Sequence, residues 1–120
     1  MLTSRQNMQN LDWIEECPAA ITVCDLEGTI VAMNAKSATV FEKDGGRSLI
    51  GTSVFDCHPE PSRTKLHEIL AAGKINCYTI EKNGVKKLIY QCPWREHDRL
   101  AGMVELSIEI PFELPHFIRT

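Results

Sequence analysis

The sequence predicts an α+β domain, a five-stranded antiparallel sheet with helices packed on one face and a flanking helix at the N-terminus. Three observations predict it. Apolar residues recur at helical spacing around Leu11 and around Leu66, and alternate with period two in the segments between and after. Asn83-Gly84, the strongest short hairpin signal, separates two strand-like runs. The chain has 120 residues, enough for one core, with no internal repeat, low-complexity tract or linker.

Residues 1–17 form the expected flanking helix: Met8, Leu11 and Ile14 make one apolar stripe, and Pro18 opposes its continuation. Residues 18–110 form the domain proper. Ala20 to Asp25 alternates as a strand, with Ile21 and Val23 against Thr22 and Cys24. Asp25-Leu26-Glu27-Gly28 is a turn, Gly28 being free to take positive φ. Thr29 to Met33 returns as a β-branched run. Asn34 then offers a side-chain cap to a short helix whose face is Ala35, Ala38 and Phe41. Lys43 to Gly46 reads as a loop, Leu49-Ile50-Gly51 as a brief helical turn, and Thr52 to Pro61 as irregular. Ser62 to Ala72 is a helix with Leu66, Ile69 and Leu70 on one side, stopped by Gly73. Ile75 to Lys82 and Val85 to Cys92 form the Asn83-Gly84 hairpin, the second strand limited by Pro93. After a charged turn, Arg95 to Arg99, the longest strand runs from Leu100 to Ile110. Residues 111–120 are a tail in which Pro111 and Pro115 oppose helix. Its Phe112, Leu114, Phe117 and Ile118 are expected to pack on the domain or on a second subunit.

Composition narrows function. Hydrophobic residues make up 43% and charged residues 24%, with a net charge of −3. Scattered basic residues and the lone Lys86-Lys87 pair give no stripe for direct nucleic-acid binding. The polar N-terminus lacks a secretory signal, and no apolar run is long enough to span a bilayer. Five cysteines, widely spaced and without a CxxC pair, point to reduced thiols and a cytoplasmic protein that contacts no membrane. Gly-rich phosphate loops, nucleophile elbows and H-E-x-x-H are absent, so the chain reads as no enzyme.

Asp25-Leu26-Glu27-Gly28-Thr29-Ile30-Val31 followed by Met33-Asn34-Ala35, then Leu49-Ile50-Gly51, then the strand Gly102 to Ile110, resembles the PAS family in order and spacing. The usual D-I-T ending is replaced by Glu109-Ile110-Pro111. Cys57-His58-Pro59-Glu60-Pro61-Ser62 resembles a C-H-P-x-x-S segment of certain bacterial PAS domains, some of them standing alone. The resemblance implies a cupped sheet and helices enclosing a small cavity. It also implies a sensory module for signal transduction and regulation of transcription, dimerising through the N-terminal flank and relaying to a signalling protein. The proline-broken tail and the start at Met1 suggest a standalone domain.

The cavity is expected to be lined by Phe55, Cys57, His58, Leu66, Leu70, Tyr90, Trp94, Met103 and Glu105, mostly apolar with few convergent polar groups. The same residues could simply fill a core. His58 is the foremost polar candidate, able to bind a ligand or titrate near neutrality, or to cap locally. Cys57 beside it could act as a redox thiol, although a buried structural cysteine is the commoner outcome. Cofactors stay open. Flavin photochemistry lacks its N-C-R-F-L-Q segment. Heme would need His67, one residue and about 100° of rotation from Leu66, or one of the dipeptides Cys17-Pro18 and Cys92-Pro93, where proline punctuation is the simpler reading. No spacing matches a closed metal site. The leading expectation is a ligand- or redox-responsive PAS sensor acting as a homodimer through protein contacts. The alternatives are a ligand-free interaction module and, with less support, a heme sensor or a small thiol enzyme.

Overall fold

A computed structural model describes residues 12–120. The elements run α1 (Asp12–Glu15), β1 (Ala20–Asp25), β2 (Ile30–Met33), α2 (Ala35–Val40), α3 (Ser62–Ala72), β3 (Asn76–Lys82), β4 (Val85–Glu96) and β5 (Arg99–Ile110). Between α2 and α3 lie three short 3-10 turns, Glu42–Asp44, Gly46–Leu49 and Val54–Cys57. Most of the expected flanking helix lies outside the described residues.

The hairpin β1–β2 and the meander β3–β4–β5 join because the last strand pairs with the first, giving the antiparallel order β2-β1-β5-β4-β3. Both long hairpins turn on two residues of positive φ, Asn83-Gly84 (53° and 77°) and His97-Asp98 (52° and 64°). Such turns match the twist of the strands they join. The second of them corrects the expectation of a long charged turn: Arg95 and Glu96 already pair with Leu100 and Arg99. Nor does Pro93 end its strand. It pairs with Met103 inside β4. The ladder with β3 stops at Asn76↔Gln91, so past Gln91 one side of β4 is a free edge, where a proline is tolerated.

The turn after β1 is built by Asp25, whose carboxylate accepts from the N–H groups of Glu27 (3.0 Å) and Thr29 (2.9 Å). Gly28 sits there at φ 85°, and a Cβ would lie 2.4 Å from the Phe55 ring. Phe55 thereby packs directly against the turn.

At the end of β2, Asn34 ties three segments together. Its side-chain oxygen accepts from Ile21 N (2.9 Å) and Ser37 N (3.0 Å), while its amide donates to Ile14 O and Ala19 O, both at 2.9 Å. It is the expected cap of α2. Of the expected face Ala35, Ala38 and Phe41, Phe41 packs against the core while Ala35 is exposed, and the buried position of α2 is Ser37, whose hydroxyl meets Thr22 Oγ1 on β1 at 2.5 Å. Arg47 pairs with Glu15 and donates to Met33 O at 3.1 Å, anchoring α1 beside β2.

Helices and turns cover one face of the sheet. The core there is Cys24, Ile30, Met33 and Met103 from strands, Val54 and Phe55 from the third 3-10 turn, and Leu66, Ile69 and Leu70 from α3. The helix α3 has its predicted bounds and buried face, ending at Gly73. Tail residues Phe112, Leu114, Phe117 and Ile118 are each more than half exposed, so they do not pack on the domain as one expectation had it.

Candidate functional site

Strand alternation decides which side chains face the helices. On β5, Met103 and Glu105 point inward, and the more apolar Val104 and Leu106 point outward. The paired residues follow suit. Thr22 on β1 and Gln91 on β4 both lie opposite Glu105, and Asn76 lies opposite Gln91. With Met33 opposite Thr22, one transverse row crosses all five strands: Met33, Thr22, Glu105, Gln91, Asn76.

Hydrogen bonds run along that row. Asn76 Nδ2 donates to Gln91 Oε1 at 2.9 Å, and Gln91 Nε2 donates to Glu105 Oε1 at 2.7 Å. A carboxylate only accepts, so Gln91 must turn its amide nitrogen to Glu105 and its oxygen to Asn76. Gln91 is 3% exposed, a buried amide whose two ends are both satisfied.

Where the row meets the helices there is a small, chiefly apolar cavity of about 40 Å³. Its polar margin is Thr22, His58 and Glu105, and Leu66 and Met103 are among its apolar walls. His58 closes the 3-10 turn that ends at Cys57, and its Nδ1 lies 2.6 Å from Val54 O. A carbonyl can only accept, so Nδ1 carries a proton, and in a neutral ring Nε2 would be the acceptor. His58 and Leu66 also border a second, open cleft of about 610 Å³ between α3 and β3–β4, whose floor includes Asn76, Tyr78 and Gln91. These two side chains therefore stand between the cavity and solvent.

Of the nine expected cavity residues, His58, Leu66, Met103 and Glu105 come together here. Phe55 and Leu70 are buried in the core next to it, and both edge a separate surface groove where Phe55 stacks on His67 at 3.7 Å between ring centroids. The backbone of Cys57 is in the 3-10 turn, and its side chain lies outside what is described. Tyr90 and Trp94 are corrections. Tyr90 pairs with Leu106 and so lies on the outer face. Trp94 pairs with Gly102, also outward, and its indole N–H reaches across to Cys24 O at 2.9 Å. Thr22, Gln91 and Asn76 were missed. Gln91 carried a usable signal, a lone amide in the apolar run Leu88-Ile89-Tyr90-Gln91-Cys92.

Charge and burial act together near the row. Burial pushes the Tyr78 phenol up, and the Glu105 carboxylate adds to it. Burial likewise pushes up the Cys24 thiol, partly offset by a backbone hydrogen bond from Met103 and reinforced by Asp25 and Glu105.

Heme and flavin do not fit these residues. Cofactor pockets run to several hundred Å³, on the order of ten times this cavity. His67, the residue considered for heme, lies in the outer groove instead. Among the described residues no three His, Cys, Asp or Glu side chains gather as a metal site, and no helix is long and apolar enough to cross a membrane.

The pattern described as the PAS fold matches residues 14–72. No curated protein matches the sequence. Among solved structures, a C-terminal domain from Streptococcus mutans is similar at 19% identity and a TM-score of 0.65, covering 90% of this chain and 85% of that one. The Vibrio cholerae VqmA dimer, described among LuxR-type receptors, is similar at 16% identity and a TM-score of 0.63, covering 100% of this chain and 58% of that one. VqmA is also known bound to DPO. The Aer2 receptor of Vibrio cholerae, a dual PAS-heme oxygen sensor, is similar at 13% identity and a TM-score of 0.57, covering 78% of this chain and 95% of that one.

Proposed function

The chain belongs to the PAS family, and from that premise we propose that it is a sensory module whose inner cavity takes a small molecule and whose response passes to another protein. The observation that carries this reading is the cavity's make-up. Apolar walls surround a few polar atoms held in fixed directions by Val54, Gln91 and Ser37. Small-molecule sites have that character. A ligand can shift a conformational equilibrium only if it binds one state better. Here it would press on His58 and Leu66, the partition to the outer cleft, or on β5, which carries the sheet's outward residues Val104 and Leu106. VqmA, a dimer that is also found bound to DPO, supplies a precedent for a ligand and for a dimer in this fold.

The test is a thermal-shift screen of small metabolites on the full chain, repeated on Met103→Trp, which would fill the cavity. At least one compound should raise the Tm of the native protein and lose that effect in the variant. A screen without hits would sink the ligand-binding part.

One observation favours a second reading, a PAS interaction module without ligand. The cavity is small, with room for a few waters at most. In that case self-association, followed by sedimentation over a range of concentrations, would be the property that function depends on.

A further inference from the structure

We propose that the cavity selects a small cation bearing N–H donors, an alkylammonium or amidinium group on a compact apolar body, received by the Glu105 carboxylate. This rests on the ligand-binding reading above and names the class of ligand.

Glu105 is only partly satisfied by its neighbours. Its Oε1 accepts from Gln91, a neutral amide, and Oε2 has no hydrogen-bond partner among the described residues. Neither ion pair among the described residues involves it: those join Lys36 to Glu109 and Arg47 to Glu15. Among the described residues no lysine or arginine lines the cavity. The carboxylate therefore borders an apolar space with its charge balanced by no cation among the described residues. Its negative field is felt by neighbours, since it adds to the burial that raises both Tyr78 and Cys24.

The surroundings hold the carboxylate in that place. The chain of amides from Asn76 through Gln91 runs in one direction only and ends on Glu105, which fixes the carboxylate's rotation at the cavity wall. A buried glutamine with both ends satisfied is a rigid support. The second polar group on the wall, His58, has its Nδ1–H committed to Val54 O, and in its neutral form its remaining nitrogen is also an acceptor. Thr22 shares its hydroxyl with Ser37. The charged and ring groups on this wall thus accept, and a ligand that satisfies them must donate. A cation does so with the larger gain, because charge-assisted hydrogen bonds are roughly twice as strong as neutral ones. An anion would meet the like charge of the carboxylate, offset by no described cation at the cavity, and be disfavoured.

Size sets the body. A cavity of about 150 Å³ is what accommodates benzene, and this one is about 40 Å³. The apolar part is therefore smaller than an aromatic ring, or part of it extends past His58 and Leu66 into the cleft.

The experiment compares three probes with the same branched alkyl body: isobutylammonium, isobutanol and isovalerate. Each is titrated into the full-length protein and into Glu105→Gln, with binding read from NMR shifts of the Met103 and Met33 methyl groups. The ammonium should bind roughly tenfold or more tightly than the alcohol, the carboxylate should not compete, and Glu105→Gln should bring ammonium and alcohol to similar affinities. Alcohol binding as tightly as ammonium in the native protein, or isovalerate binding at all in the cavity, overturns the cation assignment and leaves ligand sensing standing. Failure of all three probes to shift either methyl group overturns both. The native-protein comparison decides the matter even if Glu105→Gln does not fold.

Discussion

Gln91 donates to Glu105 at 2.7 Å from the adjacent strand, and it is the only described side chain that hydrogen-bonds this carboxylate. The pair is directly opposed in the β4–β5 register, so no backbone adjustment is needed to make the contact. A buried hydrogen bond to a charged group contributes about 1.5–3 kcal/mol. Gln91→Ala should lower the unfolding free energy by that amount in urea titrations. In a double-mutant cycle with Glu105→Ala, the pair should couple by more than about 0.5 kcal/mol. Strictly additive effects would show that the row is a coincidence of register.

Asn34 carries more bonds than an ordinary helix cap. Replacing it with Ala leaves Ile21 N and Ser37 N without their acceptor and frees the carbonyls of Ile14 and Ala19. At 3% exposure, water does not replace them readily. The expected loss is about 2–4 kcal/mol, above the ~1 kcal/mol of a cap alone. Asn34→Ser, which can still cap α2, should recover only a minor part of it. Recovery of most of the stability by serine would confine the role of Asn34 to capping.

These two residues also show what could be read in the sequence. Asn34 was legible because a short polar residue after a β-branched run and before Ala35 has one common use. The strands on either side of Asn83-Gly84 and the buried face of α3 were legible for the same reason: local pattern and local structure agree. Met103 and Glu105 of β5 were expected at the cavity, and they line it. The faces of β4 were not legible: its aromatic Tyr90 and Trp94 were placed at the cavity, whereas their partners Leu106 and Gly102 put them on the outer face. Which face is inward depends on the pairing of β5 with β1, between positions about eighty residues apart. Pro93 misled for a related reason. A proline ends a strand flanked on both sides, and whether β4 is flanked depends on where β3 stops.

Gly102 and Trp94 form a contact that only a missing side chain permits. A Cβ on Gly102 would lie 1.9 Å from Cys24 O and 2.7 Å from Trp94 Nε1. The indole therefore crosses β5 at the glycine to reach β1. Gly102→Ala should separate β1 from β5 locally, cost more than about 3 kcal/mol, and red-shift the tryptophan fluorescence as the indole gains water. Trp94→Phe keeps the ring packing and loses one hydrogen bond, so it should cost about 1 kcal/mol. Near-equal effects of the two substitutions would mean that the glycine is not there to let the indole pass.

The Cys24 thiol gives the fold a pH dependence on the alkaline side. Burial pushes its pKa up, a backbone hydrogen bond from Met103 opposes this in part, and Asp25 and Glu105 push the same way as burial. In the unfolded chain the thiol ionises at about pH 8.5. Below that pH both states hold the proton, and the thiol's contribution is fully present. As pH rises from the unfolded toward the folded pKa, the unfolded state releases its proton first, so stability falls with pH. Cys92, raised by burial, acts in the same sense, and Tyr78, raised chiefly by burial, follows at higher pH. Urea midpoints should therefore decline through the alkaline range, and Cys24→Ala should reduce the slope while lowering stability near neutrality. Thiol labelling provides an independent reading. Cys24, 1% exposed, should react only through unfolding, whereas exposed Cys77 should react at the rate of a free thiol. An alkaline slope unchanged by Cys24→Ala would assign the effect to other groups, and rapid labelling of Cys24 in the native protein would contradict its burial in the sheet.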